Sequence, residues 1–267
     1  MYKLTPKKKF GQNFLTDQSV LEKIVFNAGN LENKSILEIG GGSGNLTKHL
    51  LKAKPKKLVV IEVDEDYSEI LGGVLDSNTI ETKLISKDVL KTEIFKCFLE
   101  PPVIFGNLPY NISTKILAKL LTEANGENKW DKLLLMFQLE VAKRIVAKPN
   151  TKEYGRLSLF SQFYSLPSLQ FQISKNAFFP VPKVESALVK FQKNYKNQDD
   201  YNTVLFQDII KKSFQGRRKM LKNTLKNSYG DISDEMKLCD IPENSRPENI
   251  TLKQYCCLTM AIERSGK

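Results

Sequence analysis

From about residue 20 to residue 140, short continuous apolar runs alternate with stretches whose apolar residues recur at helical spacing. Ser35-Ile36-Leu37-Glu38-Ile39, Leu58-Val59-Val60-Ile61, Thr82-Lys83-Leu84-Ile85-Ser86, Pro102-Val103-Ile104-Phe105 and Leu133-Leu134-Leu135-Met136-Phe137 read as strands. Leu46 to Lys54 and Thr114 to Glu123 read as helices between them. This alternation predicts an α/β fold, a Rossmann-like, mostly parallel sheet with helices on both faces. Two later runs, Leu169 to Ile173 and Ala187 to Phe191, predict further strands that pair as an antiparallel edge. Gln192 to Asp200 is polar without an apolar period and reads as a linker. Beyond it, Val204 to Phe214, Arg217 to Asn227 and Leu252 to Glu263 have helical patterns. The expected organisation is a large α/β domain over residues 1–195 and a small all-helical domain over 196–267.

Composition narrows the chemistry. Four cysteines in 267 residues are too few for a disulfide scaffold, so reduced thiols are expected. There is no CxxC pair and His49 is the one histidine, so no metal site is expected. The longest apolar run, Leu133 to Phe137, is far short of a membrane span. Lys7-Lys8-Lys9 is followed by Phe10-Gly11-Gln12-Asn13-Phe14 and not by a signal-peptide core. A cytoplasmic protein with no membrane partner is the expectation.

In an open parallel sheet, ligands bind beyond the carboxyl ends of the strands. Those ends carry Gly40-Gly41-Gly42-Ser43-Gly44, Glu62, Asp88 and Asn107. The glycines let backbone approach a ligand where a Cβ would clash. Glu62, at the end of the second strand, is placed to accept both hydroxyls of a ribose, and Asp88 to accept an adenine amine. The dinucleotide fingerprint needs a third glycine where this chain has Asn45. Glu38 suits a cationic ligand better than a pyrophosphate. Both points favour S-adenosylmethionine over NAD as the cofactor.

Asn107-Leu108-Pro109-Tyr110 follows the fourth strand. An adenine N6 amine is a poor nucleophile because its lone pair is delocalised into the ring. Two acceptors, the Asn107 side-chain oxygen and the backbone carbonyl of Leu108 or Pro109, can hold its N–H groups. Their interaction strengthens as positive charge develops on nitrogen. Pro109 stiffens the loop, and Tyr110 can stack on a flipped base.

The net charge of +11 implies a polyanionic partner. Three acid-poor runs concentrate it: residues 1–12 with Lys7, Lys8 and Lys9; residues 141–156 with Lys143, Arg144, Lys148 and Arg156; and residues 217–226 with Arg217, Arg218, Lys219 and Lys222. Together they carry more positive charge than the chain's net value, so the remainder is slightly acidic. Positions 218, 222 and 226 would share one helix face and follow a phosphate backbone. The three runs are expected to converge around the mouth of the Asn107 pocket.

At this point a family is recognisable. Phe10-Gly11-Gln12-Asn13-Phe14-Leu15, Glu38-Ile39-Gly40, Phe105-Gly106-Asn107-Leu108-Pro109-Tyr110-Asn111-Ile112-Ser113, Tyr154 to Ser158, Phe179 to Ala187 and Arg246-Pro247-Glu248-Asn249-Ile250 occur in order along nearly the whole chain. The chain resembles the ribosomal RNA adenine N6-dimethyltransferases, most closely the small-subunit (KsgA-type) enzymes. The resemblance implies dimethylation of two adjacent adenosines near the 3′ end of small-subunit rRNA, in immature 30S particles, by a monomer. It also implies roles. Asn13 and Leu15 would contact the cofactor from the N-terminal segment, Gly40 its methionine part, Glu62 its ribose and Asp88 its adenine. Asn107 would touch cofactor and target, and Tyr110 and Phe178 would sandwich the target adenine. The family usually has proline after its first glycine, where this chain has Gly41. The remaining readings are a large-subunit (23S) rRNA adenine methyltransferase conferring antibiotic resistance and a non-catalytic ribosome assembly factor.

Overall fold

A computed structural model describes residues 12–76, 79–123, 129–194, 201–216 and 218–267. The expected alternation is present. In chain order the elements are β1 (Phe14–Leu15), α1 (Gln18–Ala28), β2 (Ser35–Ile39), α2 (Asn45–Lys52), β3 (Lys57–Glu62), α3 (Glu65–Asp76), β4 (Glu81–Ser86), β5 (Val103–Asn107), α4 (Ser113–Thr122), β6 (Lys132–Gln138) and α5 (Leu139–Val146). They continue with α6 (Arg156–Tyr164), β7 (Ser165–Ile173), β8 (Phe178–Phe179), β9 (Ser186–Lys193), α7 (Thr203–Ser213), α8 (Leu221–Tyr229), α9 (Ser233–Leu238) and α10 (Leu252–Ser265).

Seven strands form one sheet in the order β4-β3-β2-β5-β6-β9-β7. The β3–β4, β2–β3, β2–β5 and β5–β6 pairs are parallel, and β9 runs antiparallel to β6. Strand β2 is buried at all five positions, as a central strand covered on both faces must be. The order reverses between β2 and β5, so the loops after these two strands open onto the crevice where such sheets bind ligands. A separate ribbon pairs β1 with β8, aligning Phe14 with Phe179 and Leu15 with Phe178.

The chain divides into two compact units. The first joins the residues up to Ala142 with Ser168–Lys193, and the second joins Lys143–Pro167 with Asn194–Lys267. This is not the division at 195/196 that the polar stretch suggests. Gln192 and Lys193 finish β9, and residues 195–200 lie outside the described residues. Residues 143–167 belong with the helices because Tyr154 is buried among them. Its hydroxyl donates to the Ile250 carbonyl at 2.9 Å, and its ring meets Phe214 edge-on. Asn150 N donates to the Glu248 carbonyl, anchoring the same segment a second time.

Two expectations fail in the second unit. The helix predicted from Arg217 starts only at Leu221, because Lys219 N turns back to the Gly216 carbonyl. Arg218 and Lys219 therefore precede α8, and the 218/222/226 helix face does not form. The cysteines are not all thiols either: Cys239 and Cys257 are joined as a disulfide. Among the described residues, no helix is long and apolar enough to cross a membrane.

Candidate active site

A cavity in the first unit opens at the carboxyl ends of β2, β3, β4 and β5. Its lining includes Asn13, Gly40, Gly42, Glu62, Asp88, Asn107, Leu108, Pro109 and Tyr110. Residues as far apart in sequence as Asn13 and Tyr110 thus share one site, as the strand-end reading expects.

The glycine loop is shaped by backbone. Gly40 (φ +77°) donates its N–H to the Ile61 carbonyl at 2.8 Å, and Gly44 adopts the left-handed conformation at the start of α2. At Gly42 (φ +50°) a Cβ would lie 2.7 Å from the Phe14 ring, so a larger residue would displace that ring from the cavity wall. At Gly41 a Cβ would come within 2.6 Å of Val60 and 2.9 Å of Leu71. These two side chains leave no room for a Cβ at Gly41.

Glu62 is nearly buried. Its Oε1 accepts the N–H groups of Val63 (2.9 Å) and Asp64 (3.0 Å), and its Oε2 accepts that of Gly42 (2.9 Å). Oε2 thus has one backbone partner and retains acceptor capacity toward the cavity. Asp88 uses Oδ1 to cap the short helical turn after β4, accepting from Leu90 N. The acceptor set fits an adenosine-containing group: two carboxylates at adjacent strand ends, with a Cβ-free backbone beside them.

Three of the sequence-derived residues are placed elsewhere. Glu38 is not among the residues lining the cavity and accepts a hydrogen bond from the Thr47 hydroxyl at 2.6 Å. Complete burial pushes its carboxyl up to about 7, the Thr47 bond partly opposes this, and the nearby Glu62 charge adds to it. Leu15 and Phe178, facing one another across the β1–β8 ribbon, point together into the hydrophobic core. Phe179 is 62% exposed.

The Asn107 loop is held from a distance. The Asn107 Nδ2 donates to the Asn13 carbonyl at 2.8 Å, which turns Oδ1 into the free end of the amide. Leu108 is buried, and the Pro109 carbonyl accepts from Ile112 N. The Tyr110 hydroxyl shares a 2.6 Å hydrogen bond with the Ser186 hydroxyl. Partial burial raises the Tyr110 phenol above its ordinary value, so it stays neutral through physiological pH.

Sequence reasoning missed Gln12, Phe14 and Lys87, all of which line the cavity. The signal for Phe14 was present, since it lies within the Phe10-to-Leu15 motif, but nothing local says which of Phe14 and Leu15 faces in.

A profile of the family described as "Ribosomal RNA adenine dimethylase" matches residues 3–263. The chain belongs to the ribosomal RNA adenine dimethylase family. One family member, the ribosomal RNA small subunit methyltransferase A of Pelagibacter ubique, is 41% identical over 96% of this chain and 97% of its own. The protein of that name from a Wolbachia of Drosophila simulans is 36% identical over 97% of this chain and 94% of its own. Among solved structures, a dimethyladenosine transferase from Plasmodium falciparum superposes with a TM-score of 0.80 at 23% identity, covering 95% of this chain and 98% of that one. The 23S rRNA methyltransferase ErmE gives 0.71 at 20% identity, covering 94% and 100%. At those identities the likeness is one of fold. This dimethylase-family chain is accordingly an α/β methyltransferase with added helices.

The predicted RNA contacts fall in two groups. Lys7, Lys8, Lys9 and Arg217 lie outside the described residues. Lys143, Arg144, Lys148, Arg156, Arg218 and Lys219 are exposed on the second unit, whereas Lys222 is paired with Glu243 at 2.9 Å. Within that unit Lys152 and Arg218 line one shallow cavity, bringing two of the basic runs together.

Proposed function

We propose that this chain dimethylates the N6 amines of two adjacent adenosines near the 3′ end of small-subunit rRNA. The observation that carries the reading is the orientation of Asn107. Its amide nitrogen is spent on Asn13, so its oxygen faces a cavity that also holds Glu62, Asp88 and Tyr110.

S-adenosylmethionine supplies the electrophilic methyl group when bound. Glu62 and Asp88 would hold its ribose and adenine, and Gly40 and Gly42 would let backbone lie close to its methionine part. Asn107 Oδ1 and the Leu108 carbonyl accept the two N–H groups of the target amine. Leu108 is preferred over Pro109 because the Pro109 carbonyl already accepts from Ile112 N. As the nitrogen gains positive charge, these two acceptors bind it more tightly, which lowers the barrier. Tyr110 stacks on the target base, and a neutral phenol keeps that face free of charge. Phe178 is retained as a second aromatic wall only if the β1–β8 ribbon turns its ring out of the core on binding. Glu38 acts through Thr47, fixing the first turn of α2 behind the glycine loop.

The exposed cations of the second unit, with Lys7, Lys8, Lys9 and Arg217, position the RNA through its phosphates, while the shape of the rRNA supplies selectivity. The natural substrate in this reading is the immature 30S particle, and the enzyme works as a cytoplasmic monomer. Labelled S-adenosylmethionine and undermethylated small subunits test the reading. Asn107→Ala should lower methyl transfer by on the order of 10²–10³-fold while cofactor affinity changes by no more than a few-fold. Unchanged turnover would refute the assignment of Asn107.

A further inference from the structure

Ser186 opens β9 and is completely buried, yet its hydroxyl spends itself on the phenol of Tyr110, 76 residues away. A buried serine has many cheaper partners, including the carbonyls of its own sheet. Its location is also unusual. Ser186 pairs with Gln138 at the end of β6, and the neighbouring Glu185 carbonyl accepts the N–H of Leu139 where β6 becomes α5. The Glu185 carboxylate accepts Lys175 N, closing the loop that carries Phe178 and Phe179. The backbone around Ser186 is therefore fixed on both sides. Tyr110, by contrast, sits on a short loop between β5 and α4 with its ring at the cavity edge.

We infer that Ser186 is the positioning residue for the target base: its hydroxyl pins the Tyr110 ring in the plane that an adenine must stack against, coupling the end of β9 to the Asn107 loop across β6. Ser186 touches no reacting atom. It acts by holding Tyr110 still, so its removal leaves the ring present but free to turn, and near-attack geometry is lost without loss of cofactor binding. Burial makes the phenol less acidic than usual, so its hydroxyl remains available for the bond at every physiological pH. The inference rests on the proposed adenosine methylation.

Single-turnover methyl transfer and cofactor binding are measured for full-length wild type, Ser186→Ala, Tyr110→Phe and the double variant, each checked for an unchanged melting profile. Both single variants break the same bond and keep the ring. Each should slow transfer about tenfold, with cofactor affinity and the RNA KM within about twofold of wild type. The double variant should be no slower than either single one, because there is one bond to lose. A Ser186→Ala rate within twofold of wild type would overturn the inference. So would a double variant slowed by the product of the two effects, or a loss confined to cofactor binding. Absence of methyl transfer by the wild-type chain would refute the underlying reading of the site instead, and the two failures are distinct.

Discussion

The two loops that meet at the sheet's reversal point are built in opposite ways. The glycine loop after β2 is closed on its own surroundings: Glu62 takes three backbone N–H groups within its neighbourhood, and Gly40 is tied to the adjacent strand. The Asn107 loop after β5 hangs from remote anchors, the Asn13 carbonyl and the Ser186 hydroxyl. The first half is tied mainly to the neighbouring strands, with the Phe14 ring against Gly42 and the Leu15 carbonyl accepting from Asn45 Nδ2. The second half takes its shape only when the N-terminal segment and β9 are in place.

The largest expected effect sharpens this contrast where the remote segments enter. Phe178 is 2% exposed in the core, while Phe179 is 62% exposed on the other face of the same ribbon. Phe178→Ala should cost about 3–5 kcal/mol of stability, and Phe179→Ala less than about 0.5 kcal/mol, by denaturant unfolding. Equal costs would break the assignment of faces. A smaller effect probes the first half. Below pH 4.5 Glu38 is protonated in both the folded and the unfolded chain. Between 4.5 and about 7 the unfolded chain loses this proton and the folded chain keeps it. Stability should therefore fall as pH rises across that window, by about 3 kcal/mol. Glu38→Gln should flatten this part of the curve. Parallel curves for the two proteins would show that Glu38 is ionised in the folded state.

The same contrast explains what could be read from the sequence. Apolar runs ending in Gly40, Glu62 and Asn107 reveal strand ends directly, because burial on both faces forces continuous hydrophobicity; the edge strand β4 before Asp88 has no buried position and shows only a short β-rich run. The antiparallel edge near Ala187 was legible for the same reason. Adjacent residues on a two-residue strand were not. Leu15 and Phe178 face the core, and Phe14 faces the cavity, by the alternation of a ribbon whose register depends on contacts more than 160 residues apart. The Thr47 partner of Glu38 was not legible, because it lies on the next helix and nothing local pairs the two. The basic stripe at 218–226 failed on a single local turn at Gly216, which helical periodicity cannot see. Residues 143–167 group with the later helices because Tyr154 and Asn150 both bond to carbonyls far along the chain. Ser186 stood inside a motif without any local sign that its hydroxyl reaches Tyr110.

The central claim is that the cavity at the ends of β2 and β5 dimethylates adenine. Mass mapping of rRNA nucleotides after incubating undermethylated small subunits with the pure protein and S-adenosylmethionine tests it most directly. The account predicts two methyl groups on each of two adjacent adenosines near the 3′ end of the small-subunit RNA, and none on large-subunit RNA. Methylation of large-subunit RNA instead, or of no adenosine at all, would contradict it.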